Sequence, residues 1–156
     1  MDAVTYPAPA VSSFVAEHFV PVKLLLNRAA DQPHFRTYRV IWTPTIMVLD
    51  YRGVGHYQAP GYLPPDLFLQ QLRLGLARAQ IAWSRYDEAA AQLGAVADIP
   101  GSPFAAEALY WQGIAWYLQA RQRAPMMRAW NRLLSEHPGS LWAARVPPNQ
   151  DERDEP

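Results

Sequence analysis

No cysteine occurs anywhere in the 156 residues. That absence removes disulfides, thiolate metal ligands and thiol nucleophiles together. Neither sign of charge is in excess: 14 basic residues balance 14 acidic ones. No net field therefore draws the chain to phosphate backbones or anionic lipid, and neither a nucleic-acid nor a membrane partner is expected. There is no apolar run of 18 residues, and the first 20 lack the basic start and apolar core of a secretory leader, which predicts a soluble, cytoplasmic chain. Gly-x-Ser-x-Gly, a Walker loop and Gly-x-Gly-x-x-Gly are all missing; Gly53-Val54-Gly55 comes nearest and fits a hairpin turn better. His18, His34, His56 and His137 fall on four separate segments without metal-ligand spacing, so neither a metal nor any other cofactor is expected. Asp87 and Glu88, as helix neighbours, point about 100° apart, which suits a solvated turn rather than an acid–base pair.

What remains is apolar and aromatic. Half the residues are hydrophobic, with six Trp, eight Tyr and five Phe, and only 18% are charged. This is the composition of a globular chain, one domain or two small ones, able to bury roughly 70% of its unfolded surface. The 15 prolines punctuate the sequence and divide it into elements. Val11, Phe14 and Val15 predict a short helix over 11–18. Phe19 to Leu26 is almost continuously apolar and predicts a strand, with Pro21 at its edge or start. A short helix from Asp31 to Tyr38 follows. Pro44 bars helical continuation into Thr45–Leu49, which predicts a second strand buried on both faces. Asp50-Tyr51-Arg52-Gly53 then turns the chain into an antiparallel return over Val54–Gln58.

Beyond Pro65 the pattern is helical. Leu67, Phe68, Leu72, Leu76 and Ala79 form one apolar stripe on a helix predicted over 65–83. Pro100-Gly101-Ser102 recurs as Pro138-Gly139-Ser140, with Phe104-Ala105-Ala106 answered by Trp142-Ala143-Ala144. This is an internal repeat. Residues 147–156 are polar and acidic and predict a disordered tail.

Two resemblances attach to these residues. Arg85-Tyr86-Asp87-Glu88-Ala89, with Leu93 and Val96, resembles the turn and second helix of a tetratricopeptide repeat. Ala106 to Tyr117 resembles a first helix, with Gly113 at the small crossing position and Trp116 at the aromatic one; Met126 to Glu136 resembles its partner. The repeat spacing exceeds the family's usual 34, and two units with a fragment are fewer than the three that usually stand alone. These hairpins are expected to lean on the helix over 65–83. Residues 1 to about 82 resemble the thioredoxin fold after its active-site motif. The matching pieces are Pro9-Ala10-Val11 with Phe14, Glu17 to Lys23, Val40-Ile41-Trp42-Thr43-Pro44-Thr45, and Gly61-Tyr62-Leu63-Pro64-Pro65. Trp42-Thr43-Pro44-Thr45 is similar to the family's cis-proline loop, which exposes backbone for strand-like pairing with substrate. The resemblance begins just after the point where the family carries its first strand and Cys-x-x-Cys turn. That strand lies between the segments matching 19–26 and 45–49. The expectation is that Met1 is internal to a longer natural protein; a sheet reclosed by other pairing, or a strand supplied by a partner chain, are the alternatives.

The fold class expected is therefore α/β: an incomplete thioredoxin-like domain over 1–75, then an all-α tetratricopeptide-like extension over 76–146, with helix 65–83 shared. The resemblance implies a bacterial relative of thiol–disulfide oxidoreductases. Without cysteine this chain is not competent for dithiol exchange. The alternative is a non-enzymatic adaptor that binds a peptide or protein partner. Its candidate binding residues are Trp42, Thr43 and Pro44. Among the helical aromatics Trp83, Tyr110, Trp111, Trp116, Tyr117 and Trp130, the candidates to line a groove are Tyr110 and Trp111. The oligomeric state is left open by these residues.

Overall fold

The computed structural model describes residues 1–148, so all but the first two residues of the predicted tail lie outside the described residues. The chain is mixed α and β and divides into two compact units, Met1–Ala82 and Trp83–Pro156. The helix expected over 65–83 spans Pro65–Ala82 and lies within the first unit. Among the described residues no helix is long and apolar enough to cross a membrane.

The first unit opens with α1 (Pro9–His18). Pro9 starts it because its fixed φ suits the first turn and its missing N–H has no helical partner there anyway. Val11 and Phe14, three residues apart, turn inward and meet Phe68, Leu72 and Leu76 of α3 (Pro65–Ala82), whose fourfold spacing lines one face. Tyr6 closes the cluster edge-on to Phe68 at 5.7 Å. Thr5, fully buried, satisfies its hydroxyl by donating 2.8 Å to the carbonyl of Leu63.

A hairpin also packs against α3, and its Ile46 reaches the same cluster. Strands β1 (Thr45–Leu49) and β2 (Gly55–Pro60) pair antiparallel, Val48 opposite Tyr57 and Thr45 opposite Pro60, with a bulge between Val48 and Leu49. Gly75 lets α3 approach closely: a Cβ there would sit 2.6 Å from Cγ2 of Val48. Only Val48 of β1 is fully buried, which corrects the expectation of a strand covered on both faces. The physical reason is the sheet itself, two strands with α3 on one side.

The expectation of a strand over 19–26 is also corrected. After Phe19 the chain runs without regular structure to a 3-10 turn at Ala29–Asp31 and the six-residue α2 (Gln32–Thr37). Every residue from Val20 to Ala30 is exposed. A strand is stabilised by a neighbour's backbone, and β-propensity alone does not supply one. No third strand is present among the described residues to pair with this segment.

The second unit contains α4 (Tyr86–Ala97), α5 (Ala105–Ala120) and α6 (Arg123–Glu136), each packed on the next. Leu93, Val96, Leu109 and Leu133 are fully buried at its centre. Gln112, also buried, donates 3.1 Å to the carbonyl of Ala90 and so ties α5 to α4. Gly113 faces the indole of Trp130, whose Nε1 donates to the Tyr110 carbonyl at 3.1 Å. The repeated Pro-Gly-Ser runs both close a helix, and in each the serine hydroxyl accepts a following backbone N–H, Phe104 or Ala143. The second copy leads only to a 3-10 turn, Ala143–Arg145, among the described residues.

Candidate functional site

Trp42, Thr43 and Pro44 form the entry into β1. The chain leaves α2 through Tyr38 and reverses at Arg39, whose φ of 52° is left-handed. Val40 donates back to the Phe35 carbonyl at 2.9 Å, which fixes the exit from the helix. Ile41 and Trp42 follow and point into solvent, 95% and 67% exposed. The Thr43–Pro44 bond is cis. Two hydrogen bonds hold this loop from within: the Thr45 hydroxyl donates 2.6 Å to the Trp42 carbonyl, and Gly61 N–H donates 2.8 Å to the Pro44 carbonyl. The backbone is thus anchored to the far end of β2 while two large apolar side chains remain outside. A fixed backbone with exposed apolar anchors is the arrangement expected of a recognition surface.

Beyond the loop, β1 pairs with β2 along one edge only, and no strand pairs with its other edge among the described residues. A strand edge presents N–H and C=O groups at the spacing of an extended peptide, so it can accept one by adding a strand. The exposed run Val20–Ala30 carries further apolar side chains in the same unit, Val20 at 90% and Val22 at 77% exposure. Lys23 within it reaches Asp2 at 2.7 Å, and that hydrogen bond holds the Asp2 carboxyl below the ordinary carboxylate range.

The hairpin turn holds the unit's other polar constellation. The Asp50 carboxylate accepts from the N–H groups of Arg52 and Val54, both at 2.9 Å, and lies 3.2 Å from His56 Nε2. The Val54 N–H does most to lower the Asp50 pKa, with His56 and Arg52 adding to it. Beside it an open hollow of about 200 Å³ is lined by Met47, Gly55, His56, Tyr57 and Gln58. With its bonds to Arg52, Val54 and His56, Asp50 braces the hairpin turn and ties it to the start of β2. Among the described residues no group of three or more His, Asp or Glu is placed to hold a metal ion.

Tyr110 and Trp111 belong to the second unit, on α5. Both are half-buried. Tyr110 stacks on Trp130 at 5.5 Å and 14° and meets Trp142 at 5.3 Å, while Trp111 lies edge-on to Trp142 at 6.4 Å. The Arg145 guanidinium lies 4.4 Å over the Trp142 ring. The rings hold the terminal 3-10 turn against α5.

Ile41 and the run Val20–Leu26 are surface features that residue type alone does not reveal, since both read as core. The available signal is Pro21, which withholds a ladder donor from its segment. No protein-family model, curated protein or solved structure matches the chain.

Proposed function

We propose that the first unit is a thioredoxin-like module without redox chemistry of its own, which binds an extended peptide along β1. On this proposal the second unit is tetratricopeptide-like, and the chain serves as a bacterial cytoplasmic adaptor related to thiol–disulfide oxidoreductases. The observation that carries the reading is the exposure of Ile41 and Trp42 directly ahead of a strand with one unpaired edge. The family resemblance of the Trp42-Thr43-Pro44-Thr45 run supports it, since that loop receives substrate backbone in the family. Zero cysteine excludes dithiol exchange by this chain, which leaves binding as the activity of the loop.

The test is a screen of immobilised short peptides against the full chain, repeated with Trp42→Ala and Ile41→Ser. Both side chains are solvent-exposed, so the variants keep the parent's thermal transition. The expected result is retention of strand-forming apolar peptides by the parent and loss of at least about tenfold in affinity in each variant, the scale of a hot-spot anchor. Equal retention by parent and variants would refute the proposal.

A further inference from the structure

The whole chain is electrically neutral, yet the stretch from Val20 to Trp42, which carries much of the first unit's exposed apolar surface, is not. Between Val20 and Trp42 the charged residues are Lys23, Arg28, Arg36, Arg39 and Asp31. All four basic residues are exposed, and the one acid is buried, 6% exposed, where it accepts from the Leu25 N–H at 2.8 Å. Asp2 answers Lys23 at 2.7 Å, and Asp31 stands 4.0 Å from Arg28. Arg36 and Arg39 have no acidic partner among the described residues. They lie five and two residues before Ile41, Arg36 in the last turn of α2 and Arg39 at the left-handed reversal that leads to Ile41 and Trp42. A cation left in water beside an apolar anchor attracts a ligand that brings both a carboxylate and an apolar side chain.

Resting on the proposed peptide-binding function, we infer that the ligand class is an acidic-flanked apolar strand: a segment with Val, Ile or Thr at alternate positions and Asp or Glu at its end. In an added strand alternate side chains share one face, so the apolar set meets Ile41 and Trp42 while the terminal carboxylates meet Arg36 and Arg39. Arginine suits this role because its planar fork pairs with a carboxylate through two parallel hydrogen bonds.

The experiment measures anisotropy of three labelled peptides with the full chain. Each alternates Val and Thr, and they carry paired Asp, paired Lys or paired Ser at the ends. The acidic peptide is expected to bind about three- to tenfold more tightly than the Ser peptide, with the Lys peptide weakest, as two exposed ion pairs allow. The preference shrinks at high salt. Arg36→Glu combined with Arg39→Glu, both at exposed positions, reverses the order. Equal binding of all three would overturn the charge inference and leave peptide binding standing. No binding of any would overturn peptide binding itself, as would retention on vesicles of anionic phospholipid without affinity for any peptide.

Discussion

Replacing Gly113 with alanine tests the tightest helix crossing in the second unit. A Cβ on Gly113 would lie 2.7 Å from both Cδ1 and Nε1 of Trp130 and 3.1 Å from the Met126 carbonyl oxygen. Carbon contacts are comfortable only at about 3.5–4.0 Å, so the indole or the helix must retreat by roughly 1 Å. The indole is poorly placed to do so: it is 8% exposed, stacked on Tyr110 and bound to that residue's carbonyl. Overpacking costs about 1–3 kcal/mol, and a weakened hydrogen bond adds about 1 kcal/mol. Alanine's better helix propensity offsets about 1 kcal/mol. The net is a destabilisation of about 1–3 kcal/mol, a fall of at least about 5 °C in the transition of a unit this small. Urea and thermal unfolding followed by tryptophan fluorescence measure it. In a Trp130→Leu background the indole clash is gone and only the 3.1 Å approach to the Met126 carbonyl oxygen is left, so Gly113→Ala should then cost clearly less, a coupling that a double-mutant cycle reads directly. A Gly113→Ala variant as stable as the parent, or more so, would refute the reasoning.

Other outcomes follow from the same geometry. Gln112→Ala removes the link from α5 to the Ala90 carbonyl and opens a small cavity, at a cost of about 1–3 kcal/mol in chemical denaturation; no loss would mean that α4 and α5 do not depend on it. Because the Asp50 pKa is lowered in the folded chain, its contribution is fully present above the unfolded carboxylate value near 3.9 and is lost as pH falls through the lowered value. The unfolding midpoint of the parent should therefore drop more steeply below about pH 4 than that of Asp50→Asn; parallel curves would contradict this. Arg132 joins Asp98 at 2.7 Å and Glu136 at 2.8 Å on a partly exposed surface. Arg132→Ala should cost at most about 1 kcal/mol and less at high salt, and a larger, salt-independent loss would require a buried role for this side chain.

Elements whose signals are local were legible in the sequence. Pro44 forbids helix before β1, the Asp50–Gly53 turn sets the hairpin, and the fourfold spacing of Phe68, Leu72 and Leu76 marks α3. The segment 19–26 was not legible, because Val20, Val22 and Leu24–Leu26 read as a strand by type while a strand depends on a neighbour that local sequence does not contain. For the same reason Thr45–Leu49 read as doubly buried. The loop residues Trp42, Thr43 and Pro44 could be picked out by their order ahead of β1, but the 95% exposure of Ile41 could not, since an isoleucine carries no mark of the side it faces. The contact of Asp50 with His56 joins residues six apart across an irregular turn, a detail that spacing does not encode. Tyr110 and Trp111 were visible as an aromatic pair; that Trp142 from beyond α6 would pack on both was not.

The central claim is that an extended peptide pairs with the open edge of β1 beside Ile41 and Trp42. Amide hydrogen exchange of the full chain, with and without a saturating Val/Thr peptide ended by paired Asp, tests it most directly. The account predicts slowed exchange over residues 41–49, with the amides of 105–136 unchanged. Unchanged exchange over 41–49 with the peptide bound, or protection over 105–136 in its place, would contradict it.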